Sequence, residues 1–137
     1  MLDEEVLRRR ATAAPVARLA TVGPGGRPRV VPCCFAVDGD VVYSAVDHKP
    51  KRTARLARLA DIAANPAVSL VVDHYEDDWS QLWWVRLDGT ARVVEDGPEW
   101  QRGVDLLVTK YAQYRERRPA GPVIVVAVER WRAWSGG

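Results

Sequence analysis

The sequence predicts a mainly β, α+β fold in which an antiparallel barrel carries peripheral helices. Short alternating apolar segments are punctuated by turn signals, among them Gly23-Pro24-Gly25-Gly26 and Asp38-Gly39, and such signals are typical of hairpin-linked antiparallel strands. Segments with helical spacing separate groups of these strands, which favours helices at the periphery of a sheet. With 137 residues and an apolar fraction of 47%, the chain can bury one modest core. We therefore expect one domain over residues 1–137.

The first half of the chain predicts one helix followed by three strands. Asp3 can cap the helix and Pro15 ends it. The strand segments are 16–22, 27–37 and 41–46. In the second of these segments, alternation places four apolar residues on one face: Val31, Cys33, Phe35 and Val37. Pro32 cannot donate to a strand ladder, so this strand is expected to be an edge strand or to carry a bulge.

The second half predicts a helix, two strands, a helix and a last strand. The first of these helices has apolar residues at spacings of three and four, which predict one buried stripe: Leu56, Leu59, Ala60 and Ala63. Strands follow at 68–73 and 83–94. In the longer one, five residues share the inward face: Trp83, Val85, Leu87, Ala91 and Val93. A helix begins at Gly97-Pro98. Segment 123–128 is apolar enough for a central strand. Two large aromatic residues near the C-terminus, Trp131 and Trp134, suggest a tail that docks onto another surface.

Composition argues against several classes of protein. No stretch approaches the roughly 20 apolar residues of a membrane span, and the first residues do not resemble a signal peptide, so a cytoplasmic protein is expected. Cys33 and Cys34 are adjacent, which excludes a disulfide framework and leaves too few soft ligands for a metal site. On a strand their side chains would point to opposite faces. The net charge of +2 argues against nucleic acid, although basic residues beside tryptophan also occur in single-strand binders.

The segment His48-Lys49-Pro50-Lys51-Arg52-Thr53-Ala54-Arg55 concentrates positive charge at the start of a helix. A helix N-terminus already carries a partial positive charge, so cations there are unfavourable unless an anion binds. Free backbone N–H groups would add to such a site. The pattern therefore predicts a phosphate pocket built from Lys49, Lys51, Arg52 and Arg55, with His48 beside it. A solvated basic face is the alternative.

Aromatic residues supply a second set of candidates. Trp79, Trp83 and Trp84 follow the acidic loop 74–78. Trp83 fits the inward face of its strand, whereas Trp84 lies on the opposite face and Trp79 lies near the loop, so these two are candidates for a ligand site or an interface. The two histidines, His48 and His74, have no partner at a diagnostic spacing, and we assign no catalytic residue.

Several segments together resemble the F420-dependent (FDOR-B type) branch of the pyridoxamine 5'-phosphate oxidase-like split β-barrel family. The resemblance covers most of the chain and is clearest in Ala17-Arg18-Leu19-Ala20-Thr21-Val22, Gly26-Arg27-Pro28-Arg29-Val30-Val31-Pro32, Asp47-His48-Lys49-Pro50-Lys51-Arg52-Thr53, Asn65-Pro66-Ala67-Val68-Ser69-Leu70-Val71-Val72-Asp73, and residues 79–91.

The resemblance implies a six-stranded antiparallel split barrel that forms a homodimer with the cofactor at the subunit interface. It implies that backbone of Val30, Val31, Pro32, Cys33 and Cys34 lines the cofactor ring, that Tyr43, Ser44, Ala45 and Val46 flank it, and that the basic segment holds the phosphate end. Trp79 and Trp84 are mapped to the contribution of the other subunit.

The function implied is hydride transfer between coenzyme F420 and a small unsaturated organic substrate, with the cofactor supplying the chemistry. The basic segment suits the long anionic tail of F420, while FMN is the alternative cofactor. Three other functions stay open. The first is an FMN-dependent oxidase or reductase, including one that acts on pyridoxamine phosphate with Arg130 and Arg132 near the substrate phosphate. The others are a non-catalytic cofactor or ligand carrier, and a haem-binding module that uses a histidine as axial ligand.

Overall fold

The computed structural model describes residues 2–46 and 52–137, and for residues 52–56 it describes the backbone alone. The described residues form seven strands: β1 Ala17–Val22, β2 Pro28–Cys33, β3 Ala36–Asp38, β4 Val41–Ala45, β5 Ala67–His74, β6 Trp83–Val94 and β7 Val123–Ser135. They also form four α-helices: α1 Glu4–Ala13, α2 Arg52–Ala64, α3 Gly97–Lys110 and α4 Ala112–Glu116. Within this part of the chain, no helix is both long and apolar enough to cross a membrane.

All seven strands belong to one antiparallel sheet in the order β2-β1-β5-β6-β7-β4-β3. The predicted antiparallel sheet with peripheral helices is confirmed, and so is the edge position of the strand that contains Pro32. The two edge strands, β2 and β3, are consecutive in the chain and are separated by Cys34 and Phe35 alone. The chain therefore joins the two edges of the sheet at this point, which we call the joint.

The expectation of six strands is wrong because the segment 27–37 forms two strands rather than one. Its ladder with β1 ends at Cys33, which pairs with Ala17, and a new ladder with β4 begins at Ala36. At the joint, the N–H of Phe35 donates to the hydroxyl of Tyr111 instead of to a strand. The side chain of Tyr111 thus takes the place of a neighbouring strand as the hydrogen-bond partner of Phe35. The alternation of apolar residues in the sequence does not reveal this break between two strands.

Two apolar clusters lie on the two sides of the sheet near its centre. The larger one contains the inward residues of β1, β5 and β6 with Leu7 of α1 and Phe35 of the joint. The smaller one packs Val104 and Leu107 of α3 against β4 and β7. Because β7 begins between these clusters, Val123–Val126 are buried on both faces, which confirms the predicted central strand.

The predicted buried stripe of α2 is wrong at Ala60 and Ala63, which are exposed. Asp61 and Ile62 are buried instead, at 3% relative exposure each. The carboxylate of Asp61 accepts a hydrogen bond from the hydroxyl of Thr21 and pairs with the guanidinium of Arg29. These contacts of Asp61 determine which face of α2 is turned toward the sheet. The alanines do not, because burying an alanine side chain contributes little free energy.

The C-terminal residues form the second half of β7 rather than a separate docking tail. Trp131 packs against the larger cluster, and its indole N–H donates to Asp40. The guanidinium of Arg8 lies 4.4 Å from the centre of its ring. The binding partner of this tryptophan is therefore its own chain.

Candidate functional site

The joint is held by two neighbouring side chains at the end of α3. The hydroxyl of Tyr111 accepts the N–H of Phe35 and lies 2.9 Å from the carbonyl oxygen of Pro15, to which it donates. The amine of Lys110 donates to the carbonyl oxygens of Thr12 and Phe35, each at 2.9 Å. It also lies 3.7 Å from the centre of the Phe35 ring. Helix α3 therefore fixes the backbone where the two edges of the sheet meet.

Burial changes the protonation behaviour of both side chains. Burial lowers the pKa of Lys110 to about 8, because the charged amine has lost part of its hydration. Burial also raises the pKa of Tyr111 to about 12. Tyr111 thus keeps its proton throughout the neutral range and remains a donor, whereas Lys110 titrates just above neutral pH.

A cavity of about 220 Å³ opens beside the joint. We call it the joint cavity; its lining residues are Val16, Pro32, Cys33, Cys34, Ala45, Arg58 and Tyr114. Four of these, Pro32, Cys33, Cys34 and Ala45, are residues that the sequence predicted at the cofactor, and the structure brings them together. Burial raises the pKa of Cys33, while the hydroxyl of Ser44 and the charge of Arg58 oppose that shift.

Arg58 lines the joint cavity but is not among the residues that the sequence predicted at the cofactor. Its Nε is buried and has no hydrogen-bond partner among the described residues. An unpaired buried donor is costly, and an anion in the cavity would satisfy it. A signal was present in the sequence, since Arg52, Arg55 and Arg58 recur at every third residue and neighbouring members of such a series share one helix face.

The other predicted residues of β2 and β4 lie in two different environments. On β2, Val30 is 63% exposed, and Val31 packs against the larger apolar cluster. On β4, Tyr43 is buried beneath α3, and Ser44 is buried and donates to the carbonyl of Cys34. Val46 is also buried. These three side chains are therefore absent from the lining of the joint cavity.

The predicted basic segment contributes little that the structure can place. His48, Lys49 and Lys51 lie outside the described residues, and so do the side chains of Arg52 and Arg55, whose backbone forms the first turns of α2. Their proposed role at a phosphate remains a prediction.

A second cavity, of about 540 Å³, lies on the outer face of the sheet. Its lining residues are Arg18, Val71, Asp73, Trp84 and Arg86. Strand pairing sets Pro32 opposite Arg18, Arg18 opposite Val71, Val71 opposite Arg86 and Arg86 opposite Arg132. Since paired residues share a face, this outer sheet face runs continuously from the edge strand of the joint cavity to β7.

The tryptophans predicted at a site or an interface both lie at one end of the molecule. Trp84 is half-buried and pairs with Trp134, which is 39% exposed. Trp79 lies in a short turn and is 68% exposed, and its backbone contacts Gly136. Arg132 also lies on the outer sheet face, directly opposite Arg86.

Comparisons with solved structures reproduce this fold. A conserved hypothetical protein of Mycobacterium tuberculosis aligns with a TM-score of 0.75 at 19% identity, covering 99% of this chain and 86% of that one. HutZ, the haem storage protein of Vibrio cholerae, aligns with a TM-score of 0.74 at 20% identity over 98% and 95%. A FAD-binding protein of Mesorhizobium loti aligns with a TM-score of 0.69 at 22% identity over 96% and 94%.

At the sequence level, no curated protein matches the chain. The family model described as pyridoxamine 5'-phosphate oxidase matches residues 3–135. This match covers nearly the whole chain, and the sheet, the peripheral helices and the structural neighbours agree with it. The chain belongs to the pyridoxamine 5'-phosphate oxidase family.

Proposed function

We propose that the joint cavity receives the ring system of a flavin-type cofactor, with coenzyme F420 preferred and FMN as the alternative. One observation carries the proposal: Pro32, Cys33 and Cys34 of the edge strand and its end meet Ala45 in one cavity whose wall also holds Arg58. An edge strand leaves backbone groups free for a planar heterocycle. The cationic wall suits the anionic part of such a cofactor.

The size of the cavity limits what this chain holds by itself. Its volume of about 220 Å³ is below the roughly 300–1,000 Å³ of typical small-molecule sites. The cofactor must therefore extend beyond it, and in this proposal the charges of Lys51 and Arg52 hold its anionic end while a second subunit completes the site. The outer sheet face, which continues from Pro32 to Trp84, is the surface that we assign to the partner subunit in a homodimer.

The activity that fits this arrangement is reduction of a small unsaturated organic substrate, with a bound deazaflavin supplying the hydride chemistry. The chain itself binds and orients: Arg58 pairs with an anionic group, and Lys110 and Tyr111 keep the joint in place. Tyr43 has no role as a proton donor in this proposal, because it is buried under α3 and burial raises its pKa.

The test is a titration of the purified protein with F420 and, separately, with FMN, followed by tryptophan fluorescence. We expect F420 to bind with a dissociation constant in the micromolar range or tighter, and FMN to bind more weakly. Stronger binding of FMN than of F420 would make FMN the proposed cofactor and would leave the joint cavity as the proposed site. Binding of neither would overturn the proposal.

Two variants locate the site in that titration. Arg58→Ala removes a charge-assisted hydrogen bond, which is worth about 1.5–3 kcal/mol, so we expect cofactor affinity to fall roughly tenfold to a hundredfold. The double variant Lys51→Ala/Arg52→Ala should weaken F420 more than FMN. Arg117→Ala is the matched control, because Arg117 is an exposed arginine at the end of α4. Equal affinities for Arg58→Ala and Arg117→Ala would remove Arg58 from the site.

Haem binding without catalysis is the second candidate. His74 has a half-exposed side chain, and its Nε2 lies 2.5 Å from a carboxylate oxygen of Glu76, a contact that can orient a histidine ligand. A Soret shift on titration with haemin, lost in His74→Ala, would support this candidate. Unchanged haemin spectra in both proteins would eliminate it.

A further inference from the structure

The two cysteines form a pair of free thiols beside one cavity. Cys33 is the last residue of β2, and Cys34 belongs to the joint. Both residues line the joint cavity, and Cys33 also packs against the larger apolar cluster. The ladder ends at Cys33, so the strand period of two does not fix the direction of the Cys34 side chain.

The spacing of the pair disfavours a disulfide and suits a larger bridging atom. The Cα atoms of adjacent residues lie about 3.8 Å apart. Ordinary disulfides need roughly 4.4–6.8 Å between Cα atoms, and shorter spacings carry strain. A soft atom placed between two sulfurs separates them by two bonds instead of one, which relieves this restriction. Thiolate sulfur also prefers soft partners.

We propose that Cys33 and Cys34 together chelate a trivalent aryl arsenical, with the aryl group in the joint cavity. Two arsenic–sulfur bonds form, the arsenic–oxygen bond of an aryl arsenoxide breaks, and its oxygen leaves as one water molecule with both thiol protons. Arsenic remains trivalent, so no oxidant or reductant takes part. Val16, Ala45 and the ring of Tyr114 provide apolar surface in the cavity wall for the aryl group.

The two arsenic–sulfur bonds form one after the other. Burial raises the pKa of Cys33, which makes its thiolate scarce at neutral pH. Once one cysteine holds the arsenic, closure onto the other is intramolecular, and such a second attachment strengthens binding by about 10²–10⁴.

Phenylarsine oxide is the probe, added to the protein without any flavin or deazaflavin. We expect one arsenical per chain by intact mass, loss of both free thiols, and an adduct that a dithiol removes but an equal concentration of glutathione does not. Cys33→Ser and Cys34→Ser should each weaken binding by about 10²–10⁴-fold. Cys33→Ala and Cys34→Ala, checked for folding by circular dichroism, replace any serine variant that does not fold.

Wild-type affinity in either single variant, or removal of the wild-type adduct by glutathione, would overturn the proposal. Because no cofactor is present in this experiment, its result is independent of the titration with F420 and FMN. Chelation without cofactor binding, or cofactor binding without chelation, would separate the two proposals.

Discussion

Lys110 lies in an environment unlike that of an ordinary surface lysine. Its amine is half-buried, donates to two backbone carbonyl oxygens and lies over the ring of Phe35. Burial lowers its pKa from 10.5 to about 8. The folded protein therefore releases this proton at a lower pH than the unfolded chain does.

The sign of the resulting pH dependence follows from proton linkage. Between pH 8 and about 10, the unfolded state holds the Lys110 proton and the folded state has lost it, so the contribution of Lys110 to stability rises with pH. We expect the free energy of unfolding of the wild-type protein, minus that of Lys110→Met, to increase from pH 7.5 to pH 9.5. Urea denaturation at both pH values measures it.

Two neighbours of Lys110, Cys33 and Tyr111, make the free energy of unfolding change with pH in the opposite direction, so the comparison must control for them. Burial raises the pKa of Cys33 and of Tyr111, so the unfolded chain loses these protons first and stability falls as pH rises through their ranges. Both groups are present in the wild-type protein and the variant, and the upper limit of pH 9.5 avoids most of the titration of tyrosine. A difference that stays flat or falls between the two pH values would contradict the assignment to Lys110.

Residues of the site were predictable where a local pattern marks them and unpredictable where the fold creates them. Pro32 marked an edge strand because proline lacks an N–H, whatever the rest of the chain does. Lys110 reaches Phe35 across 75 positions of sequence, and no local pattern encodes that contact. Arg58 carried a helical spacing signal, but its unpaired Nε appears only when the cavity is formed.

At the scale of elements, the packing of α3 on β4 depends on one helical glycine. Gly103 is buried, and a Cβ there would lie 2.6 Å from Cδ1 of Tyr43, closer than atoms can approach. We expect Gly103→Ala to destabilise the protein by about 1–3 kcal/mol, the usual cost of overpacking, although alanine raises helix propensity by about 1 kcal/mol. Urea denaturation measures the change.

A double-mutant cycle isolates the steric cause of this effect. In a Tyr43→Leu background the clashing ring is absent, so Gly103→Ala should cost less than in the wild-type protein. Gln101→Ala, at an exposed position of α3, serves as the matched surface control and should change stability by no more than about 0.5 kcal/mol. An equal cost of Gly103→Ala in both backgrounds would show that Tyr43 is not the obstacle.

The same packing logic explains which elements the sequence located well. Strand β6 followed its alternation because one face contacts the larger cluster and the residues of the other face are half-buried or exposed. The sequence located helix α2 but predicted the wrong buried face. Burial of its small alanines contributes less than the hydrogen bond between Thr21 and Asp61, which determines the observed face. The division of β2 from β3 escaped detection because α3, far away in the sequence, supplies the groups that end the ladder.

At the scale of the whole molecule, the order of strands could not be read from the sequence, although it decides which residues share a surface. Pro32 and Trp84 come from segments some fifty residues apart, and strand pairing puts Arg18 and Val71 on the two strands between them, on one outer sheet face. That face combines half-buried apolar side chains with the ion pairs Arg18–Asp73 and Arg86–Asp88. Such a mixture is typical of interfaces that form in water.

A homodimer is proposed to form through this outer sheet face. Val71 is half-buried and lines the cavity on the outer sheet face, and a carboxylate placed there would be desolvated at an interface. We therefore expect Val71→Asp to sediment as a monomer under conditions in which the wild-type protein sediments as a dimer. The variant should also lose cofactor affinity in the fluorescence titration, because the second subunit completes the proposed site.

Thr109→Asp, which places a carboxylate at an exposed position of α3, is the control and should leave both the dimer and the cofactor affinity unchanged. A Val71→Asp variant that remains dimeric would move the interface to another surface, and a monomeric variant with undiminished cofactor affinity would show that one chain holds the whole cofactor.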